Sequence, residues 1–186
     1  LSILIALCLC LTLLPTAAFA ATTMTPDVWD GSTAAKLTGS GTSEDDPFLI
    51  STGAELKLLA ENSRILDFGS RYVKLTNDII LNDGTFGKDG SFTKNGESNP
   101  SAPNEWLPAG KATWHIDGNG HYISGLYIKL NEDRIGLFSY TDNGGSIKNL
   151  TIKNSYVFST KSGAYVGVFA GTSFRTSFIN CVGENN

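Results

Sequence analysis

The chain has 186 residues, of which 41% are hydrophobic and 17% are charged, and its formal net charge is −4. These proportions exclude a disordered, highly charged chain and predict one domain with a hydrophobic core. The 14 basic residues are scattered along the sequence, which argues against nucleic acid and other anionic polymers as partners, because phosphate binding needs clustered Lys and Arg.

The first element of the chain is an apolar segment. Residues 1–14 are almost wholly apolar, and small residues follow Pro15. This pattern is typical of a secretory signal peptide, predicted at residues 1–20, with Ala18 and Ala20 in the two small-residue positions of the cleavage site. The alternative, an uncleaved membrane anchor, would need about 20 apolar residues. We therefore predict an extracytoplasmic protein, secreted or held at the cell surface, with no membrane span after signal cleavage.

The cysteines do not predict a disulfide-stabilised fold. Cys8 and Cys10 fall in the predicted signal peptide, which leaves Cys181 as the single mature cysteine. One thiol cannot form an internal disulfide, so stability must come from packing and backbone hydrogen bonds. We interpret Cys181 as a core residue, because a free cysteine behaves as a small apolar side chain.

The next part of the chain predicts a cap rather than a repeat. A polar segment at residues 21–43 leads into a predicted N-terminal cap at residues 44–115. Short apolar runs predict strands at residues 72–75 and 78–81. Residues 82–105 are polar and lack periodicity, which predicts an inserted surface loop.

One helix is predicted in the cap. Thr52 and Glu55 have the spacing of a capping box, and good helix formers follow as far as Asn62 or Ser63, where the helix should end. We expect this helix to cover the open end of the sheets, because uncovered strand edges promote aggregation.

Residues 116–186 contain a repeated pattern of short strands and Gly/Asn turns. Five segments fall into two groups of similar sequence: 123–128, 147–152 and 178–183 in the first, 135–138 and 166–169 in the second. The first group contains a short step, from Ile123 to Ile147, and a long step, from Ile147 to Phe178. The second group repeats the long step, from Ile135 to Val166.

Aligned segments predict columns of stacked side chains. The aligned inward positions of the first group are Ile123, Ile147 and Phe178, and then Leu126, Leu150 and Cys181. The second group aligns Gly136 with Gly167 and Phe138 with Phe169.

A further column of the first group consists of Gly125, Asn149 and Asn180. Gly and Asn best tolerate left-handed backbone, so we expect each strand to bend there. Stacked Asn side chains can also form hydrogen bonds from one repeat to the next.

These observations predict an all-β fold, specifically a right-handed parallel β-helix, or solenoid, with one short N-terminal capping helix. Equivalent segments run in the same direction, whereas hairpins would require mirror order. The sequence starts without Met and ends at Asn186 without a polar cap, so we expect the natural protein to extend in both directions, with the repeats truncated at their C-terminus.

An ordered set of motifs resembles the N-terminal segment of bacterial GLUG-motif surface proteins. The motifs include Asp46-Pro47-Phe48, Trp106-Leu107-Pro108, Asp117-Gly118-Asn119-Gly120 and Ile147-Lys148-Asn149-Leu150. The resemblance covers nearly the whole mature chain and implies a pectin-lyase-like right-handed β-helix with an adhesin-like role. It supplies no catalytic residues. His115 and Ala109 depart from the residues usual in that family.

Two possible metal sites have simpler interpretations. His115, Asp117 and His121 are residue types that bind zinc, but the turn sequence between the histidines favours surface residues. Four carboxylates could bind calcium weakly, although solvated side chains are the better interpretation; they are Asp45, Asp46, Asp83 and Asp89. We predict no metal and no cofactor.

A glycan-cleaving site would align carboxylates, or a carboxylate with Lys or Arg, on neighbouring repeats. No acidic residue of the repeats shares a predicted column with another; these residues are Asp117, Glu132, Asp133, Asp142 and Glu184. We therefore predict no catalysis in this part of the protein. The alternative is a secreted polysaccharide lyase or glycosidase with its active site in missing repeats.

Aromatic side chains could instead form a platform for sugar rings. The candidates are Tyr122, Tyr127, Tyr140, Tyr156, Tyr165, Trp106 and Trp114. We favour ordinary strand packing, because the predicted alignment places no two of these tyrosines in one column. The sequence thus predicts a monomeric surface protein with a structural or binding role, whose partner is an extracellular glycan or a host or cell-surface protein.

Overall fold

The computed structural model describes residues 26–65, 69–98 and 101–186, so the predicted signal peptide lies outside the described residues. Within these residues the chain forms eighteen β-strands and one α-helix, α1 (Gly53–Ile65). The strands are β1 (Phe48–Ile50), β2 (Ser70–Leu75), β3 (Ile79–Ile80), β4 (Thr85–Phe86), β5 (Phe92–Lys94), β6 (Glu97–Ser98), β7 (Ala109–Asp117), β8 (Tyr122–Ser124), β9 (Tyr127–Leu130), β10 (Arg134–Ile135), β11 (Phe138–Thr141), β12 (Ser146–Lys148), β13 (Thr151–Lys153), β14 (Tyr156–Ser159), β15 (Tyr165–Val166), β16 (Ala170–Ser173), β17 (Ser177–Ile179) and β18 (Val182–Glu184).

Parallel pairing dominates the fold. β12 lies between β7 and β17, with Ile147 opposite Ile116 on one side and opposite Phe178 on the other. The parallel ladders, in the order of neighbouring strands, are β1-β2-β7-β12-β17, β3-β8-β13-β18, β9-β14, β10-β15 and β7-β11-β16. The chain visits these ladders in the same order each time, and we call one such round a circuit. The prediction of an all-β fold with parallel strands is confirmed.

The long strand β7 joins two ladders. Its first half pairs with β11 and its second half pairs with β2 and β12. We call the ladder that contains β1, β2, the second half of β7, β12 and β17 the first sheet. β7 therefore ends one circuit and starts the next, and among the described strands it pairs with β2, β11 and β12.

The short step predicted from Ile123 to Ile147 is wrong. Ile123 pairs with Ile152 and not with Ile147, and Leu126 consequently does not lie in the column of Leu150. Each circuit contains two bends of similar sequence, so the second bend of one circuit was aligned with the first bend of the next. The long step is correct for the pairs Ile147–Phe178 and Ile135–Val166.

The second predicted group is shifted by one residue at its end. Phe138 lies opposite Ala170 and not opposite Phe169. Gly136 and Gly167 do approach closely, because a Cβ atom on Gly136 would lie 2.2 Å from the Gly167 carbonyl oxygen. Glycine is therefore required at Gly136 by the contact between neighbouring circuits.

Inward-facing aliphatic side chains build the core. In the first sheet, Val73, Ile116 and Ile147 stand opposite one another and are at most 5% exposed. Outward-facing residues alternate with them, as a sheet buried on one face requires. The column ends at Phe178, which is 42% exposed, because β17 pairs with β12 alone among the described strands.

The predicted bends are present. Gly125, Asn149 and Asn180 have φ values of 76°, 54° and 51°. Asn180 Nδ2 donates to Asn149 Oδ1 (3.2 Å), and Asn149 Nδ2 donates to Asp117 Oδ1 (3.1 Å). These bonds link three successive circuits on the outside of the same bend, so the predicted Asn ladder is confirmed for Asn149 and Asn180.

Replacing Asn149 separates the two roles of this position. Asn149→Gly keeps the left-handed backbone but removes both side-chain hydrogen bonds, so we expect a loss of about 1–2 kcal/mol in the free energy of unfolding. Asn149→Val adds the cost of a left-handed β-branched residue, about 1–2 kcal/mol more. Urea unfolding measures both, and equal losses in the two variants would show that the backbone conformation contributes nothing.

The helix confirms the predicted capping box. Thr52 Oγ1 accepts a bond from the Glu55 amide (3.2 Å), and Glu55 Oε2 accepts bonds from the Ser51 and Thr52 amides (2.7 and 3.1 Å). The helix runs past the predicted end to Ile65. Its apolar side, formed by Leu56, Leu59 and Ala60, faces Trp106, Ala109, Trp114, Leu137 and Phe138.

The helix also covers a strand edge, as predicted. The Gly110 amide, at the start of β7, donates to Ser63 Oγ (2.9 Å), and Ser63 Oγ donates to the Ala60 carbonyl (2.6 Å). A Cβ atom on Gly110 would lie 2.8 Å from the Ser63 carbonyl oxygen. The C-terminal turn of the helix therefore lies directly against the edge of β7.

The segment predicted as an irregular loop contains a small antiparallel sheet. β5 pairs with β4 and with β6, and Phe86 stands opposite Phe92. The prediction missed these strands because they are very short and mostly polar. The insertion packs on β9 and β14 through the ring of Phe86, which contacts Tyr127 and Tyr156.

Candidate functional site

A cleft of about 170 Å³ opens on the outer face of the first sheet. We call it the charged cleft. It is lined by Glu44, Pro47, Tyr72, Val73, Lys74, His115, Asp117, Ser146 and Lys148. These residues come from β2, β7, β12 and the segment before β1, so three successive circuits and the N-terminal segment build the site.

One column of the cleft is aromatic. Tyr72 on β2 stands opposite His115 on β7, and their rings stack with centroids 4.7 Å apart. His115 stands opposite Ser146 on β12, and His115 Nδ1 lies 3.1 Å from Ser146 Oγ. Cross-strand stacking of this kind fixes the orientation of both rings.

The neighbouring column alternates in charge. Lys74, Asp117 and Lys148 are direct register partners on β2, β7 and β12. Lys148 Nζ lies 3.5 Å from Asp117 Oδ2. No hydrogen bond or ion pair engages the Lys74 ammonium within the described part of the chain. The column therefore offers one carboxylate that is held in place and one ammonium that is not.

The electrostatics of Asp117 follow from its contacts. Burial opposes the charged form of this carboxyl, but hydrogen bonds from the Asn119 amide (2.8 Å) and Asn149 Nδ2, together with Lys148, outweigh it and hold the pKa of Asp117 below its ordinary value. A carboxylate stabilised in this way is a poor proton donor near neutral pH. Asp117 is thus suited to fixing cations and hydroxyl groups.

Glu44 closes the cleft from the N-terminal segment. Its Oε1 atom lies 3.0 Å from Lys148 Nζ, across 104 residues of sequence. The bond to Glu44 and the charge of Asp117 raise the pKa of Lys148. The carboxylate side chain is 75% exposed, so this ion pair lies at the rim of the cleft.

Backbone bonds position the Glu44 loop. The Gly41 amide donates to the Asp46 carbonyl (2.9 Å), and the Tyr72 amide donates to the Gly41 carbonyl (3.0 Å). Gly41 has a φ of 67°, and a Cβ atom there would lie 2.4 Å from the Phe48 ring. Trp29, which is 5% exposed, anchors the N-terminal segment before β1 in the core.

The residues considered for zinc have separate partners. His115 faces Tyr72 and Ser146, whereas His121 Nδ1 lies 3.0 Å from Asp78 Oδ1. No three His, Cys, Asp or Glu side chains converge on a possible metal position anywhere in residues 26–65, 69–98 and 101–186.

The residues considered for calcium are likewise dispersed. Asp83 lies 3.4 Å from Lys94, Asp89 accepts a bond from the Ser91 amide (3.0 Å), and Asp46 accepts one from the Ser40 amide (3.3 Å). Asp45 is an exposed neighbour of Glu44. Asp46, Asp83 and Asp89 thus make local contacts within their own loops and do not converge on one position.

The prediction that no two tyrosines share a column is wrong. Tyr127 and Tyr156 are register partners, and their rings stack with centroids 5.7 Å apart. The incorrect short step had placed Tyr127 opposite Thr151. Phe86 of the insertion stacks on Tyr127 at 5.3 Å. Because these ring faces cover one another, the column holds the insertion against the sheet.

The other aromatic candidates lie elsewhere. Trp106 and Trp114 are core residues, 1% and 3% exposed, whereas Tyr165 on β15 is 60% exposed.

The side chain of Cys181 packs, partly buried, against the core, and its thiol donates to the Ile147 carbonyl (3.2 Å). Cys181 therefore lies at the margin of the core and is not one of its fully buried residues.

Sequence reasoning missed five residues of the charged cleft, namely Glu44, Tyr72, Lys74, Ser146 and Lys148. Asp117 and Lys148 are separated by the same long step as Ile147 and Phe178, which was a usable signal for one pair. Lys74 was hidden because the insertion lengthens the first circuit, and Glu44 belongs to a segment outside the repeats.

Comparison with known proteins gives two partial similarities. The chain is 34% identical over 140 residues to Halomucin of Haloquadratum walsbyi, covering 74% of this chain and 1% of that protein. It is 29% identical over 141 residues to a putative Gly-rich membrane protein of Evansella cellulosilytica, covering 73% of this chain and 14% of that protein. The chain thus spans a small fraction of both relatives. No family model matches the chain, and no solved structure matches it.

Helix length and polarity bear on membrane insertion. None of the helical structure in residues 26–65, 69–98 and 101–186 is long and apolar enough to cross a bilayer.

Proposed function

We propose that this chain is part of an exported cell-surface protein whose parallel circuits form a right-handed β-helix of the GLUG-motif type, and that it binds an extracellular glycan or surface protein without catalysis. The regular step between parallel strands of successive circuits supports the β-helix. The names of the two relatives, a halomucin and a membrane protein, support a surface location. The apolar segment at residues 1–14 supports export.

The observation that carries the binding role is the charged cleft. It combines a stacked Tyr72–His115 pair with hydrogen-bonding groups on two neighbouring circuits. The Lys74 ammonium has no protein partner among the described residues, so a polar ligand can bind it without breaking an existing contact. Concave sites with a few converging polar groups are the usual places of ligand binding.

Glycan and matrix-protein arrays probed with the purified chain test the proposal. The expected result is selective retention of at least one ligand class. For that ligand, Tyr72→Ala should weaken binding about tenfold, because the loss of one aromatic contact and its ordered partner ring corresponds to about 1.4 kcal/mol. Titration calorimetry gives the dissociation constants.

Tyr165→Ala is the matched control, since Tyr165 is an exposed tyrosine on a different ladder. It should leave binding unchanged, and both variants should keep the unfolding temperature of the parent chain. No detectable binding to any array ligand would contradict a binding role for the cleft. Equal losses of affinity in the two variants would contradict it as well.

A second function is favoured by one observation. Asp117 lies between Lys74 and Lys148 on neighbouring circuits, and a carboxylate with a neighbouring lysine is the arrangement expected of a glycan-cleaving enzyme. Release of new reducing ends or unsaturated products from an array-positive glycan would favour that function. The low pKa of Asp117 and its three fixed contacts favour binding instead.

A further inference from the structure

The Glu44–Lys148 ion pair resembles a ligand contact made by the protein itself. We propose, building on the binding role above, that the charged cleft accepts an anionic substituent of a glycan, a carboxylate or a sulfate, and that Glu44 occupies its position in the unliganded protein. Glu44 would then act as an internal competitor that the ligand displaces from Lys148.

The two carboxylates that contact Lys148 are not equivalent. Asp117 is fixed by the Asn119 amide and by Asn149 Nδ2, so it is a permanent part of the cleft wall. Within the described part of the chain, the side chain of Glu44 has a single bond, to Lys148 Nζ, and it is 75% exposed. Exposed ion pairs contribute little to stability, so Glu44 is the carboxylate that can leave.

The charge of the cleft then favours an anion. With Glu44 in place, Lys74 and Lys148 are balanced by Glu44 and Asp117. Without Glu44, two ammonium groups face one carboxylate, and Lys74 has no partner of its own among the described residues. The scatter of basic residues along the sequence argued against anionic polymers, but folding brings these two lysines to one column. Complementary charge provides specificity in such a site.

The size of the cleft indicates which part of a ligand it holds. Pockets that enclose a whole small molecule have volumes of about 300–1,000 Å³, whereas the charged cleft has about 170 Å³. The cleft is also open on the sheet surface. It therefore fits one substituted ring or side group of a longer chain that runs over the sheet.

Three dextrans with the same backbone test the anion directly: underivatised, carboxymethylated and sulfated. Binding to the purified chain is measured by titration calorimetry at low and at physiological ionic strength. We expect an anionic dextran to bind more tightly than the neutral one. Its affinity should fall as the ionic strength rises, because salt screens the charges. The comparison of carboxymethyl with sulfate identifies which anion the cleft prefers.

Variants test the competition. Glu44→Gln should tighten binding of the preferred anionic dextran about two- to fivefold, because the ligand no longer displaces a carboxylate. Asp45→Asn removes the same charge from the same loop but breaks no ion pair, since Asp45 has no partner among the described residues; it should leave binding nearly unchanged. Lys148→Gln should weaken binding about tenfold and abolish the gain from Glu44→Gln. Lys36→Gln removes a lysine that does not line the cleft, so it should do neither.

Several outcomes would overturn the proposal. Equal tightening by Glu44→Gln and Asp45→Asn would show that Glu44 acts only through overall charge. Equal binding of neutral and anionic dextrans, or no binding of any dextran, would remove the anion site. The array experiment remains separate: a Tyr72-dependent ligand without anionic groups would leave the binding role intact while this inference fails, and silent arrays would end both.

Discussion

Replacing Trp106 by Ala is expected to lower the free energy of unfolding by about 3–5 kcal/mol. Trp106 is 1% exposed and meets Trp29 edge to face, with ring centroids 5.9 Å apart. Its Nε1 atom donates to the Leu137 carbonyl (3.2 Å). The substitution therefore leaves a cavity between the helix and β7 and removes the ring contact that ties Trp29 to the core. It also takes away one of the two donors to the Leu137 carbonyl, which keeps the Ala109 amide (3.0 Å).

Urea unfolding followed by circular dichroism measures this loss. Leu107→Ala is the matched control, because Leu107 is the next residue and is 47% exposed; its cost should stay within about 0.5 kcal/mol. A loss below about 1 kcal/mol for Trp106→Ala would mean that the N-terminal segment and the helix do not form one core with the circuits.

Gly125→Ala is expected to destabilise the protein by about 2–5 kcal/mol. Gly125 has a φ of 76°, and a Cβ atom there would lie 2.1 Å from the Asn82 carbonyl oxygen. The left-handed conformation costs alanine about 1–2 kcal/mol, and forcing the backbones apart costs about 1–3 kcal/mol more. Asn82 would also lose its bond to the Gly125 carbonyl, which is 2.8 Å long and buried.

Gly120→Ala isolates the conformational part of this effect. Gly120 has a φ of 80°, but no atom lies within 4 Å of a Cβ atom placed there. The Gly120→Ala variant should lose only about 1–2 kcal/mol of the free energy of unfolding. Thermal unfolding of both variants checks the difference, and similar losses would argue that the close approach of the two circuits at Gly125 is relaxed at little cost.

Local signals allowed the helix and the bends to be predicted from sequence. The capping box needs only Thr52 and Glu55, one helical turn apart, and the bends at Asn149 and Asn180 follow from the backbone preferences of single residues. The long step was also visible, because Ile135 and Val166 stand in segments of nearly the same sequence. Each of these features depends on neighbours in the chain or on an exact repeat.

The remaining features depend on register between distant segments. Two bends per circuit have similar sequences, so similarity alone could not decide whether Ile123 pairs with Ile147 or with Ile152. That single choice hid the Tyr127–Tyr156 column. The insertion displaces Lys74 from the regular spacing, and Glu44 reaches Lys148 across 104 residues. The candidate site was therefore not predictable without the pairing of the strands.

The linear order of the ladders has a consequence for how the protein comes apart. The strands β17 and β18 each have a neighbour on one side only among the described strands, whereas β7 and β8 have neighbours on both. Among the described strands, β17 pairs with β12 and β18 pairs with β13, so loss of this pair would leave the strand contacts of β7 and β8 intact. In a hydrogen-exchange experiment on this chain, the amide protons of β17 and β18 should thus exchange faster than those of β7 and β8, which have neighbouring strands on both sides.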